Sequence, residues 1–271
     1  MRRLFPTDTP ESDADPAHQM IDDQTLATRI AETINPGAIS WRSNNERTTN
    51  ERPWVMANMV MSADGAYSVQ GRSGGLSGQA DKAVFNTLRG LADAILVGAS
   101  TAREERYRRP SADDTTRAQR SARGQPERPV LAVVSGSGVF PVDQPFREGE
   151  GPEPIVFTSN GAAADAELLS HGLRFRLTGT DVNEPFRIGP VIQNLSAEGC
   201  RTILCEGGPH LLGQLVEEQM LDQLFLTLAP RLAGGETTGL LGRGATGSAE
   251  LSLRGALEAD GFLMLNYHVL Y

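Results

Sequence analysis

Three short segments carry the residues best suited to chemistry. The first is Cys205-Glu206-Gly207-Gly208-Pro209-His210. An apolar run, Ile203-Leu204-Cys205, delivers a carboxylate directly into two glycines and a proline. A strand seldom ends on an acid that has no partner. Paired glycines let backbone approach backbone or ligand closely, and Pro209 suits a first helical turn. Leu211, Leu212, Leu215 and Val216 then share a helical face. The segment therefore predicts a strand, a tight turn and a helix N-terminus, whose free N–H groups and dipole suit an anion such as phosphate. The second segment is Ser62-Ala63-Asp64-Gly65, which follows "WVMANMVM". Asp64 either serves chemistry at a strand end or only shapes a turn before Gly65. The third is Gly98-Ala99-Ser100-Thr101, after the buried-type run "DAILV". Its small residues and hydroxyls suit phosphate or nucleotide contact, and Ser100 or Thr101 would equally serve as a helix N-cap.

None of the three is G-x-G-x-x-G or G-x-x-x-x-G-K-[ST], so neither a standard dinucleotide fingerprint nor a P-loop is present. What they share is position, each at the predicted end of a strand. In an open α/β sheet, ligands sit beyond the carboxyl ends of the strands. That alone points to an enzyme that binds a phosphorylated cofactor.

The elements that must position these segments alternate from Pro53 onward. Strands are expected at "WVMANMVMS", "DAILVGAS", "PVLAVVS", "EPIVFTS", "LRFRL", "RTILCE", "LDQLFLTLAP" and "GFLMLNYHVLY". Helices are expected at "GQADKAVFNTLRGLA", "AAADAELLSHG", "GPVIQNLSAEGC" and after Pro209. Such alternation predicts an α/β fold with a mostly parallel central sheet. The last two strands have no helix between them and should pair antiparallel. Two long loops are expected, at about residues 101–129 and in "RLAGGETTGLLGRGATGSAE". Residues 1–50 read as a polar, partly disordered N-terminal extension with one short amphipathic helix in "DDQTLATRIAETI".

Composition excludes several classes. The 271 residues carry a net charge of −9, which argues against a general nucleic-acid binder. No apolar run approaches the roughly 20 residues of a membrane span, and no signal-peptide h-region is seen. Cys200 and Cys205 do not form C-x-x-C, and His18, His171, His210 and His268 are scattered, so no metal site is expected. A reducing cytoplasm is the expected setting.

Taken in order, "ANMVMSADG", "TLRGLADAILVGASTAREE" and "ILCEGGPHLLGQLVEEQMLDQLFLTLAPRLAGG" resemble the reductase domain of riboflavin biosynthesis. The resemblance covers about residues 53–271, so the reductase domain is expected over 51–271. It implies a dihydrofolate-reductase-like fold, NADPH as cofactor, a homodimer, and hydride transfer to the ribosyl C1′ of a phosphorylated aminouracil. It also implies roles. Val60, Gly75, Thr101, Glu105 and Ser135 would contact the cofactor. The phosphates would meet Gly208, Pro209, His210, Leu211, Leu212 and Gly213. Ser73, Arg89 and Glu206 would contact substrate, and Asp64 and Glu206 are the implied catalytic acids. For Arg89 the plain alternative is an ion pair on a helix surface.

Two departures from that family stand out. The motifs of its deaminase half, H-A-E and P-C-x-x-C, do not occur. Where the family commonly has D-x-P-x-L-T-x-R, whose Arg holds the substrate phosphate, this chain reads "TAREERYRRPSADD". Arg106, Arg108, Arg109, Arg117, Arg120 and Arg123 are the candidates in its place, against the plain reading of a solvated loop. The competing functions are a pterin reductase like dihydrofolate reductase, suggested by fold alone, and a non-catalytic NADPH-binding protein.

Overall fold

The computed structural model describes residues 2–3, 52–138, 144–159, 173–178, 186–234 and 239–271. The helices expected near residues 22–34 and 162–172 fall outside them. Among the described residues ten strands form one sheet: β1 (Arg2–Arg3), β2 (Trp54–Ser62), β3 (Ala94–Gly98), β4 (Val130–Val134), β5 (Ile155–Thr158), β6 (Arg174–Leu177), β7 (Thr202–Cys205), β8 (Gln223–Ala229), β9 (Glu250–Ala259) and β10 (Phe262–Leu270). Their order across the sheet is β1-β9-β10-β8-β2-β7-β3-β4-β5-β6. From β8 through β6 every neighbour is parallel, whereas β8, β10, β9 and β1 pair antiparallel. This is the parallel sheet with antiparallel C-terminal strands that the sequence predicts.

The parallel strands are apolar on both faces because helices cover both. Helix α1 (Gln79–Leu91), α2 (Ala99–Glu104) and α3 (Asp114–Ala122) follow β2 and β3. Helix α4 (Gly189–Ala197) and α5 (Pro209–Glu217) follow later in the chain. Ala80, Val84 and Leu88 of α1 pack on Met56, Leu204, Phe225 and Met264. The opposite face buries Val191, Ile192 and Leu195 of α4 with Leu211, Leu212, Leu215 and Val216 of α5 against Val55, Ala57 and Ile203. The split follows from handedness. From β2 to β6 the chain steps across the sheet in one direction, then reverses to lay β7 between β2 and β3. Right-handed crossovers put helices of opposite stepping direction on opposite faces.

Two aspartates set where the strands begin. Asp222 takes both guanidinium arms of Arg52 at 2.6 and 2.7 Å and the Val55 N–H at 2.8 Å. Asp93 accepts the N–H groups of Arg201 and Thr202 and the amide of Gln125. The ends of β2, β7 and β3 are thereby brought level.

Three expectations need correction. The stretch 101–129 is not one loop. Asp113 caps α3 by accepting from the Thr116 N–H, and Arg120 is fully buried. Its guanidinium donates to the carbonyls of Pro126, Gly90 and Ala92, and Arg123 adds a bond to Gly90. The Gly90 and Ala92 carbonyls belong to the end of α1 and the turn after it, and would otherwise lack partners. Arg109 holds the carbonyls of Phe146, Arg147 and Gly151, and Arg117 bonds Ala112 and Asp114. The arginines at 109, 117, 120 and 123 serve the backbone instead of solvent. The second correction is β9, which the sequence reading left unassigned. Its Leu251 and Leu253 stand opposite Val269 and Tyr267, but a bulge at Arg254 puts Leu257 on the other face, so no single alternation runs through the strand. Ser100 and Thr101 also lie inside α2, whose N-cap is Gly98.

Replacing Arg120 with Met should strand those carbonyls and lower stability by about 2–4 kcal/mol, measured by urea unfolding. Substrate KM in the folded variant should stay at the wild-type value, since the side chain is enclosed.

Candidate active site

Because β7 lies between β2 and β3, the three segments meet at one edge of the sheet. This is the topological switch point of the strand order, where a crevice opens between crossovers. Gly98 N–H donates to the Gly207 carbonyl at 2.9 Å. The Gly207–Gly208 peptide is cis, and Gly207 has φ +97°. A Cβ on Gly208 would sit 2.7 Å from Thr101 Oγ1. Helix α5 starts with no side-chain cap, so its first turn faces the junction with backbone alone. The junction of Gly98, Thr101, Gly207 and Gly208 is a cradle that any Cβ at 208 would fill. It fits the pyrophosphate of a dinucleotide.

Of the six residues expected there, Gly208, Pro209 and His210 lie at the helix start, with His210 exposed. Leu211 and Leu212 point into the core. Gly213 lies against the segment after β8: its Cβ would be 2.5 Å from the Leu241 carbonyl. Glu217 fixes that segment by accepting from the N–H and hydroxyl of Thr246 at 2.8 and 2.7 Å.

Glu206 finds its partner in Arg89. Arg89 Nε donates to Oε1 and Nη2 to Oε2, both at 2.7 Å, and the Tyr107 hydroxyl donates to Oε2 at 2.8 Å. The Glu206 side chain is 1% exposed and that of Arg89 25%. The guanidinium lies over the Phe85 ring at 4.2 Å and near that of Tyr107 at 5.5 Å. Burial works against the Arg89 charge, but the bonded carboxylate prevails and raises its pKa. Burial, then the carboxylate, pushes the Tyr107 phenol well above its ordinary range. Tyr107 therefore stays a proton-bearing donor at neutral pH. Sequence reasoning found Glu206 and Arg89 and missed Tyr107 and Phe85. The signal for Tyr107 was a lone aromatic inside the charged run "EERYRRP".

Other expected residues fall into a second cluster. Glu105 accepts the Ser73 N–H at 2.7 Å and its hydroxyl at 2.9 Å, and Arg231 donates to the Gly75 carbonyl. Ser73 and Glu105 are thus joined to each other, and Gly75, two residues on, is tied to Arg231. Val60 lies on β2 opposite Thr227 of β8. Ser135 is at the end of β4, where its hydroxyl accepts from Gly138 N–H at 3.0 Å. Burial pushes the Cys200 and Cys205 thiols up to about 12, so neither is a thiolate at neutral pH.

Asp64 is exposed, at the rim. It accepts from the Ser62 hydroxyl at 2.5 Å and from the N–H groups of Ala233 at 3.0 Å and Gly234 at 2.8 Å. The Ser62 hydroxyl first, then those N–H groups, lower its pKa from 3.8 to about 2. The folded protein thus holds the ionised form more tightly than the unfolded chain does. The stability this gives is complete above about pH 4 and is lost as pH falls towards 2. Melting temperatures between pH 5 and 2 should drop more for the wild type than for Asp64→Asn.

Among the described residues, the Asn58 and Asp81 side chains each keep one buried oxygen, Oδ1, without a hydrogen-bond partner.

Comparison with known proteins shows what the chain is similar to. The family model for the RibD C-terminal domain matches residues 53–260. The 2,5-diamino-6-ribosylamino-4(3H)-pyrimidinone 5′-phosphate reductase of Archaeoglobus fulgidus is 24% identical over 185 residues, 68% of this chain and 83% of that protein. The riboflavin biosynthesis protein RibD of Mycobacterium tuberculosis is 26% identical over 211 residues, 77% of this chain, which spans 51% of that protein. Among solved structures, a pyrimidine reductase-like protein of Corynebacterium diphtheriae superposes with a TM-score of 0.72 at 27% identity, covering 81% of this chain and 92% of that one.

Proposed function

The chain belongs to the RibD C-terminal domain family, and on that footing we propose that it is a reductase of the riboflavin pathway. It transfers a hydride from NADPH to the ribosyl C1′ of a 5-amino-6-(ribosylamino)pyrimidine 5′-phosphate, giving the ribityl chain. The observation that carries this reading is the cradle of Gly98, Thr101, Gly207 and Gly208 beside the Arg89–Glu206–Tyr107 cluster at one switch point. It sets a phosphate-binding surface next to a polar, enclosed corner.

In this reading NADPH supplies the hydride. The cradle and the start of α5 at Gly208, Pro209 and His210 hold its pyrophosphate, with Val60, Gly75, Thr101, Glu105 and Ser135 as further contacts. Ser73, Arg89 and Glu206 face the substrate, and the Tyr107 phenol offers it a donor. Glu206 is held by two partners, so it orients Arg89 and Tyr107 as a unit. Asp64 keeps its proton only in strong acid. At neutral pH it acts as a fixed negative charge that stabilises developing cationic character, and not as a proton donor. With Arg109, Arg117, Arg120 and Arg123 engaged by the backbone, Arg106 and Arg108 remain for the substrate phosphate. Both are exposed and flank Tyr107.

A panel of ribosylaminopyrimidine phosphates and dihydrofolate, scored by NADPH oxidation, tests the reading. Turnover is expected with the former only. Gly208→Ala should weaken NADPH binding at least tenfold, about 1.4 kcal/mol. The double variant Arg106→Gln/Arg108→Gln should raise KM for the phosphorylated substrate and leave NADPH binding unchanged. Oxidation with dihydrofolate alone, or with no substrate at all, would reject the proposal.

The proposal extends to assembly and setting. Among the described residues no helix is long and apolar enough to cross a membrane, and a cytoplasmic enzyme is proposed. Leu251 and Leu253 of β9 are 45% and 43% exposed and stand opposite Val269 and Tyr267 of β10. This apolar ladder on the outer strands is proposed to be covered by a second copy of the chain. Light scattering should show a dimer at micromolar concentration, and Leu253→Lys should shift it to monomer.

A further inference from the structure

Arg147 sits on the short 3-10 turn Pro145–Arg147 between β4 and β5 and is 8% exposed. Among the described residues, none of its three guanidinium nitrogens has a hydrogen-bond partner. An arginine can usually extend its stem and keep its charged head in water. This one does not, and the turn that carries it is held from two sides. Phe146 is fully buried with Ile95, Leu131, Val133 and Val156. The Arg109 guanidinium bonds the Phe146, Arg147 and Gly151 carbonyls at 3.4, 2.6 and 3.3 Å. The Arg147 N–H donates to the Gln144 carbonyl at 3.0 Å. Burial lowers the pKa of the Arg147 guanidinium, and no carboxylate among the described residues opposes that.

A second guanidinium borders the same segment. Arg128 packs its stem against Gly151, where an added Cβ would lie 3.1 Å from Arg128 Cδ. Its Nη2 donates to Glu150 Oε2 at 2.5 Å, whereas its Nε is buried without an acceptor. Arg109 holds the carbonyls of Arg147 and Gly151 with two arms of one guanidinium, so the two orphaned groups flank one short stretch of backbone. Arg128 precedes β4 and Gly151 precedes β5. Both therefore lie at the amino ends of the strands, away from the crevice at their carboxyl ends. The neutral alternative within the turn is Gln144, whose Oε1 is also buried without a donor. A single amide oxygen takes one N–H and leaves the charge buried and the remaining N–H groups unfilled.

We infer that Arg147, with Arg128 Nε as a second donor, binds a phosphate-type oxyanion at a site separate from the crevice. An enclosed guanidinium without an acceptor is destabilising, and an anion removes that penalty. The planar fork of a guanidinium matches two oxygens of a tetrahedral oxyanion, and the oxygens left over reach a second cation. The anion is either free orthophosphate or the phosphate group of a small ester. In both cases it binds the folded chain, which alone holds Arg147 and Arg128 on one segment, and so stabilises the fold by mass action. The site uses no residue of the cofactor cradle or of the Arg89–Glu206–Tyr107 cluster.

The test is thermal unfolding with orthophosphate titrated at constant ionic strength, for wild type, Arg147→Met and Arg128→Gln. The wild-type Tm should rise with phosphate and level off. Arg147→Met should lose the rise and, without phosphate, melt no lower than wild type, since it removes an unpaired buried charge. Arg128→Gln should weaken the apparent phosphate affinity about tenfold. Ribose 5-phosphate in place of orthophosphate distinguishes the sources: an equal or larger rise assigns the site to an ester, a smaller or absent one to the free ion. A wild-type Tm indifferent to both compounds overturns the inference, as does a rise that Arg147→Met leaves intact. An Arg147→Met protein that fails to fold, or melts well below wild type without phosphate, overturns it too, because the guanidinium then has a partner within the protein.

Discussion

The buried carboxylate of Glu206 is the constraint around which the crevice is organised. It ends β7, the strand placed between β2 and β3, and cannot stay there without donors. One comes from the last turn of α1, the crossover from β2 to β3. The other comes from Tyr107, just past α2, on the way from β3 to β4. A single charge thus ties three crossovers to one point at the carboxyl edge. Removing one partner of such a buried pair typically costs about 3–5 kcal/mol, because the other charge is left stranded. The geometry of the crevice and the stability of the central sheet are in this sense the same quantity.

The glycines beside Glu206 complement it. Where Glu206 must be filled around, Gly207 and Gly208 must be left empty, since a methyl group at 208 would strike Thr101. The two requirements sit in adjacent residues because the strand ends there. The last side chain pointing to one face is the acid, and the next backbone units turn into α5. Charge satisfaction and backbone clearance are consequently set by the same turn.

Much of this was legible in the sequence. The parallel strands announced themselves as apolar runs because both of their faces are covered, and β2 was bounded correctly at Trp54 and Ser62. Glu206 was visible because an acid at the end of such a run is anomalous. What escaped was of two kinds. Helix α3 hid behind arginine: Arg120 looks solvent-exposed by type, and only the carbonyls ending α1 explain its burial. Strand β9 hid because much of it is exposed and a bulge at Arg254 interrupts the alternation. Tyr107 and Phe85 escaped for a further reason. They are ordinary residues in their own elements, and only the tertiary fold brings them to Arg89 and Glu206.

The capping of α1 by Arg120 and Arg123 has a temporal consequence. The two side chains that complete the end of this helix come about thirty positions later in the chain, and the acid that engages Arg89 comes 117 positions later. Contacts so far apart in sequence form late and slow the search for the native state. During synthesis, which proceeds from the N-terminus, the first crossover stays unfinished at its end until α3 has emerged. Its crevice-facing arginine stays unpaired until β7 arrives. The strand that enters the middle of the sheet last is therefore also the one that closes the active site.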